Sequence, residues 1–476
     1  MEFEHAGLRI GARGYHKRMT QRKQVRPTVI TALALTLAVA AAFGQTAPRA
    51  VVMISIDGLR PDYVNAPEHN LRIPNLRQIL KTGVHADGVR GVFPTVTYPS
   101  HTTLITGVWP SKHGIWNNVV FDPLGINFEG WYWYAEDIRV PTLWDAAAQA
   151  NLSVGSVSWP VSVGARSVRY LIPEVWRAVT PDDLKLLRAL STPGLVSEFE
   201  PVLGPYAWNV EGAISADWSR TRYAERIIRD KLVRFITVHL GALDEIEHHS
   251  GPFSREANAA LEEIDSMAGV LAKAIREQTP GGAVCVVSDH GFARIDHQVN
   301  LRAAFVKAGL IVPNANRSSI RSPAVSEWKA DAWAAGGSYL IVLKDPRDEA
   351  TRAATGTLLR DLAADRANGI ESILDRDEIA RLGGDPEAAF AVDLKLGFSA
   401  GNALDGPLVR SIKPGGMHGY SPTHPEMRAA FYMSGDGIRK GTDLGEIDMR
   451  SIAPSVAKYL GIPFPTADLP PLPVEK

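Results

Sequence analysis

Four apolar runs dominate the first 300 residues: "AVVMISIDG" from Ala50, "NLSVGSVSWP" from Asn151, "VRFITVHLG" from Val233 and "GAVCVVSDHG" from Gly282. Three of them run on without alternating polar positions, the pattern of strands buried on both faces. Helical stretches separate them: "PNLRQILKTG", residues 141–150, "SADWSRTRYAERIIRDKL" and "SREANAALEEIDSMAGVLAKAIREQ". The last has apolar residues at helical spacing and charges on its other face. Alternation of this kind predicts an α/β fold with a mostly parallel central sheet flanked by helices. Ligands of such sheets gather beyond the carboxyl ends of the strands. Asp57, Asp244 and the pair Asp289–His290 are all expected there.

Residues 300–412 differ in texture. "SYLIVLK", a helix near 347–365 and "AAFAVDLKLGFSAGN" read as a small inserted α/β subdomain. "AAFYMSGDGIRKG" then returns to the main sheet, and "DMRSIAPSVAKYLGIP" closes it with a helix stopped by Gly461 and Pro463. The catalytic domain is thus expected over 48–299 and 413–467, and residues 468–476 read as a simple end.

A formal net charge of −1 gives no electrostatic reason to expect a nucleic-acid polymer as partner. Cys285 is the only cysteine, which rules out an intrachain disulfide. Residues 1–18 read as an upstream or non-native extension. From Met19 a basic head (Arg22, Lys23, Arg26) precedes an uncharged run from Pro27 to Ala47. This is the pattern of a secretory signal peptide over 19–47, cut after Gly44 or Ala47. Cleavage implies a periplasmic or secreted protein with no stable membrane insertion. An uncleaved segment would act as a membrane anchor.

Chemistry-bearing residues cluster in short motifs. In "LDEIEHHSGP", Asp244 and His248 stand four apart, which puts both on one face if the segment is helical or lets both converge within a turn. Such a pair suits zinc, although the same residues are common in solvated loops, and His249 competes with His248 for the role. "SDHG" places Asp289 and His290 side by side before Gly291, which permits a sharp turn; Asp289 could equally cap the next segment. "GGMHGYSPTHPEM" sets His418 between glycines, with His424 six residues on. Read together, these positions could hold a metal pair. Carboxylate and imidazole ligands without cysteine favour zinc, with manganese or iron as substitutes. Two metals about 4 Å apart stabilise both the attacking and the leaving oxygen of an in-line displacement.

A nucleophile is sought in "FPTVTYPSH", where Pro94 and Pro99 stiffen a hydroxyl-rich turn. Thr95, Thr97 and Ser100 are the candidates. Ser100 also reads as the start of a helix over "SHTTLITG".

In combination, "DGLRPDY", "PTVTYPSHTTLITGVWPSKHGIWNN", "SWPVS", "LDEIEHHSGP", "SDHGF" and "GMHGYSP" resemble the nucleotide pyrophosphatases/phosphodiesterases of the alkaline phosphatase superfamily, in order and internal spacing, from about residue 50 to 465. The resemblance implies an alkaline phosphatase-like fold and two Zn2+ per chain. It implies Thr97 as nucleophile and ligand of one zinc, with Asp57, Asp289 and His290. It gives Asp244, His248 and His418 to the other zinc, and makes Asn118, 21 residues after Thr97, a donor to a phosphate oxygen. The implied reaction forms a covalent phosphothreonine ester, which water opens to a phosphate monoester.

The expected substrate is a small phosphodiester or nucleotide. Tyr98 occupies the family's base-stacking position. Its usual aromatic partner, five residues before Asp244, is here His239. The run Trp131–Tyr134 offers a further aromatic wall or a packed loop contact. Monoesterases of the superfamily add a Lys-x-Arg pair; "GARSVRY" lacks it, which favours diesters. Phosphonate hydrolysis uses the same scaffold. Sulfatases need a modified Cys or Ser in a motif that is missing around Thr97. A non-catalytic exported binding protein is the contrasting reading, opposed by the filled ligand positions.

Overall fold

The computed structural model describes residues 49–476 except 67–69, 128–129, 176–181, 208–212 and 320–321. The expected extension and signal segment lie outside these described residues.

Five strands carry the centre of the main sheet: β1 (Val51–Ile56), β2 (Val154–Val157), β3 (Phe235–Leu240), β4 (Ala283–Val287) and β5 (Phe431–Ser434). The eight-stranded order is Thr442–Asp443, Val84–His85, β5, β4, β1, β3, β2 and Tyr170–Ile172. β1 runs parallel to both β3 and β4, and β2 runs parallel to β3 and to Tyr170–Ile172. β5 alone opposes β4 and the short Val84–His85 strand. The sheet is therefore mostly parallel, as the apolar runs predict.

Every residue of β1, β3 and β4 is buried because helices cover both faces. On one face Val52, Ile54, Ile236, Val238, Val284 and Val286 meet Leu261, Ile264, Ala268 and Leu271. Those four lie on a long helix over Arg255–Gln278, whose N-cap Ser254 accepts the Ala257 amide. On the other face Val51, Met53 and Cys285 meet Leu104, Ile105, Ile452 and Val456. Cys285 is thus a core residue, and burial pushes its thiol up.

Among the described residues, the chain between β4 and β5 builds three further sheets, one of them the short pair Ile311–Pro313 and Val325–Trp328. Ala330–Ala335, Ser338–Leu343, Phe390–Leu394 and Ile370–Leu374 form an antiparallel sheet, in that order. Ala293–Val299 is flanked by Gly397–Ala400 and Val409–Met417. Trp333, Leu340 and Ala391 of the antiparallel sheet share an apolar cluster with Phe93, Tyr98 and Trp133. This segment therefore packs directly behind the hydroxyl-rich stretch.

Two local expectations are corrected. "TVTYPSH" is helical from Thr97 itself: α1 spans Thr97–Thr106, with Val96 as the extended N-cap. Pro99 sits in the first turn, where no amide is needed for the helix ladder. The C-terminal tail is also packed rather than a loose end. Val474 is fully buried, Leu472 donates its amide to Ser455 Oγ (2.8 Å), and Lys476 donates to the Gly437 carbonyl (3.0 Å).

Candidate active site

The end of β1 delivers Asp57 and the end of β4 delivers Asp289 and His290, all buried. Gly291 follows because the chain passes close to another loop: a Cβ there would lie 2.1 Å from the Glu426 carbonyl. After β3 the helix α2 (Ala242–Ser250) carries Asp244 and His248 one turn apart, 3.3 Å between Oδ2 and Nε2. His249 points outward and is mostly exposed. His418 arrives on the glycine-rich loop. Gly416 lets that loop press on α2, since a Cβ there would meet the Glu247 carbonyl at 2.5 Å.

Two overlapping groups of ligand atoms result. Asp57, Asp289 and His290 converge within 4.8 Å of one another, and so do Asp244, His290 and His418. His290 Nε2 lies 3.4 Å from Asp57 Oδ1 and 3.1 Å from Asp289 Oδ2. His418 Nε2 lies 3.6 Å from Asp244 Oδ1. The three imidazoles turn Nδ1 to backbone carbonyls: His248 to Gly416 (3.2 Å), His290 to Gly291 (3.2 Å) and His418 to Thr95 (3.1 Å). Each Nε2 is thereby left facing the acidic residues of the cluster, the orientation of a metal-ligating imidazole.

The electrostatics of the cluster call for cations. Asp57 Oδ1, Asp244 Oδ1 and Asp289 Oδ2 are buried without a hydrogen-bond partner, a costly state for carboxylate oxygens. Burial, then the charges of Asp289 and Asp244, push the Asp57 carboxyl well above the usual range. Burial and the neighbouring His290 push His418 down to about 3, which keeps its ring neutral. Three crowded carboxylates beside three imidazoles fit one or more divalent cations with N/O preference, zinc among them.

Of the three candidate hydroxyls, Thr97 is the one beside this cluster, with Oγ1 3.4 Å from His290 Nε2 at the N-terminus of α1. Thr95 Oγ1 is bound to backbone instead: it donates to the Tyr420 carbonyl (2.8 Å) and accepts the Gly419 amide (3.1 Å). Ser100 Oγ is buried within α1 with no partner. Asn118 accepts the Tyr98 amide through Oδ1 (2.8 Å) and donates its own amide to Asn117 Oδ1 (2.8 Å). Its side-chain oxygen is thus committed, and the NH2 end of the amide points to the other side.

Tyr98 and His239 lie differently from the expected open base clamp. The Tyr98 ring is only 1% exposed, packed against Trp131 (5.2 Å) and Trp133 (6.0 Å). Within the Trp131–Tyr134 run, Trp131 and Trp133 supply packing here, whereas Tyr134 is exposed. His239 is buried within β3 and faces Asp57 and Glu174, because side chains of a strand point to the sheet face its register dictates.

Sequence reading missed Glu174, His101 and Glu247. Glu174 accepts from Tyr98 Oη (2.9 Å) and from His239 Nδ1 (2.7 Å). His101 spans Ser55 Oγ and the Thr97 carbonyl (2.8 Å each). Glu247 accepts from Tyr63 Oη (2.7 Å). The (i, i+4) spacing of Thr97 and His101 on a helix was the one available signal.

The family model described as type I phosphodiesterase/nucleotide pyrophosphatase matches residues 51–420. The chain belongs to that family. Human ectonucleotide pyrophosphatase/phosphodiesterase family member 1 is 24% identical over 252 residues, which cover 50% of this chain and 23% of that protein. A Schizosaccharomyces pombe protein described as an uncharacterized pyrophosphatase/phosphodiesterase is 25% identical over 432 residues, 87% of this chain and 77% of that one. The matched region spans less than a quarter of the first mammalian relatives' own length. The solved structure of human ectonucleotide pyrophosphatase/phosphodiesterase 5 shares the fold, with a TM-score of 0.58 at 18% identity over 87% of this chain and 96% of that chain. A murine counterpart, described as an inactive threonine-to-alanine variant in complex with AMP, also scores 0.58 at 18% identity, covering 89% of this chain and 97% of that one. The fold is therefore the alkaline phosphatase-like α/β architecture of these phosphodiesterases. Among the described residues no helix is long and apolar enough to cross a membrane.

Proposed function

We propose that this phosphodiesterase-family chain is a metal-dependent hydrolase of small phosphodiesters or nucleotides, with Thr97 as nucleophile and two zinc ions per chain. One observation carries the reading: Thr97 Oγ1 stands at a helix N-terminus, 3.4 Å from His290, beside three carboxylates that each keep one buried oxygen without a hydrogen-bond partner.

Asp57, Asp289 and His290 would hold one ion together with Thr97, and Asp244, His248 and His418 the other. Bound there, the ions would lower the pKa of the Thr97 hydroxyl and offset charge on the reacting oxygens. The rest is done by the chain. Thr97 Oγ1 forms a bond to phosphorus as the bond to the departing ester oxygen breaks, and the hydroxyl proton goes to solvent. The positive end of the α1 dipole faces the phosphoryl group. Asn118 donates from its NH2 to a non-bridging oxygen as charge builds there. Water then attacks phosphorus, Thr97 leaves, and a phosphate monoester departs. The AMP held by the murine relative supports a nucleoside monophosphate among the groups such a fold accepts. The basic head and apolar run of residues 19–47 support export from the cytoplasm.

Hydrolysis of bis(p-nitrophenyl) phosphate against p-nitrophenyl phosphate tests the reading. The expected result is a diester preference abolished by chelator and restored by zinc. A large monoester preference, or diester turnover indifferent to chelation, overturns it.

A further inference from the structure

A continuous line of hydrogen bonds runs beneath the candidate site. Tyr98 Oη donates to Glu174 Oε1 at 2.9 Å, and Glu174 Oε2 accepts from His239 Nδ1 at 2.7 Å. His239 Nε2 reaches Asp57 Oδ2 at 3.0 Å. Every member is at most 5% exposed. The four residues come from α1, the loop after Tyr170–Ile172, β3 and the end of β1, so none is held there by local sequence alone.

The chemistry of the line has a direction. Nδ1 of His239 faces only acceptors, the Glu174 carboxylate and the Ser158 carbonyl at 3.0 Å. Nε2 lies 3.0 Å from Asp57 Oδ2, so the ring bridges the Glu174 and Asp57 carboxylates. Asp57 has two oxygens with separate duties. Oδ2 is taken by His239, whereas Oδ1 has no hydrogen-bond partner and turns to His290 and Asp289. Anchoring one carboxylate oxygen fixes the plane of the group and the aim of the other. Glu174 in turn fixes the ring of His239, and its second oxygen ties Tyr98, the residue next to Thr97, to the same frame.

We propose that His239, braced by Glu174, is a positioning residue that aims Asp57 Oδ1 at the metal cluster; the inference rests on the metal-dependent reading above. His239 stands outside both groups of converging ligand atoms. Residues that hold ligating groups by hydrogen bonds typically change metal affinity by about 10–100-fold when removed.

Two amide side chains of different reach separate the positioning role from simple packing. His239→Gln places an amide nitrogen near the Nε2 position and keeps a donor for Asp57. His239→Asn places it near Nδ1, keeping the donor to Glu174 and Ser158 while losing Asp57. Zinc affinity is measured on full-length protein by competition with a chelating dye, with thermal melts to confirm folding. The expected result is near wild-type affinity for His239→Gln and a loss of about 10–100-fold for His239→Asn. Glu174→Gln, which preserves shape and an acceptor for Tyr98, is expected to weaken zinc in the same direction by a smaller factor. Equal zinc affinity in all three variants and wild type overturns the positioning role while leaving the hydrolase reading intact. Wild-type protein that takes up no zinc overturns both.

Discussion

The imidazoles of His290 and His418 stack face to face, 3.6 Å between centroids and 9° from parallel. His290 belongs to both groups of converging ligand atoms, so this stack is the seam at which the groups meet. His418→Ala removes one side of the seam only. Metal content after exhaustive dialysis, read by atomic emission, is expected to fall from two zincs toward one. His249→Ala, on the exposed side of the same helix as His248, is expected to leave metal content unchanged.

In the proposed reaction, Asn118 bears on the rate of the chemical step. Its oxygen is pinned by the Tyr98 amide, so the donor end is held ready. Asn118→Ala is expected to lower kcat by about 10²–10³-fold, with a smaller change in KM. Steady-state kinetics on a nitrophenyl diester check this. An effect confined to KM would mean that the amide binds ground state and transition state equally.

Much of this was legible from local pattern. The apolar runs announced β1, β3 and β4 because burial on both faces removes every polar alternation. Asp57 and Asp289 stood out for the same reason, as the first charges after such runs. Asp244 and His248 could be paired from their spacing alone. The Tyr98–Glu174–His239–Asp57 line was invisible, since its members are brought together by sheet register and lie up to 182 residues apart. Glu174 sits in no motif, and His239 drew notice only as the base-stacking partner position of Tyr98. The start of α1 was hidden because Pro99 reads as a helix breaker, although a first-turn proline costs the helix no hydrogen bond. The packed tail was hidden because a Pro-rich ending gives no sign of the groove that receives it.

That tail is worth measuring. Val474 is fully buried, and Arg49 pairs with Glu475 at 2.5 Å. Deletion of residues 472–476 is expected to destabilise the protein by about 1.5–3 kcal/mol, the burial free energy of one such aliphatic side chain. Urea denaturation of the shortened protein gives the value.

Asp385 supplies a pH dependence remote from the ligand cluster. Burial raises its carboxyl from the ordinary 3.8 to about 6, with the Glu387 amide at 2.8 Å pulling the other way. A raised carboxyl favours the folded state in full below the unfolded pKa, and the contribution is lost as pH rises through the folded one. Unfolding free energies of wild type minus Asp385→Asn are therefore expected to fall between pH 4 and 6, by at most ~1.4 kcal/mol per unit. They are expected to level off above that range.

Rapid acid quench of wild-type protein turning over a diester, followed by peptide mass spectrometry, examines the nucleophile itself. The expected adduct is the retained phosphoryl ester on Thr97, absent in Thr97→Ala along with turnover, and never on Thr95 or Ser100. Undiminished turnover in Thr97→Ala, or an adduct on another hydroxyl, would contradict the assignment of Thr97.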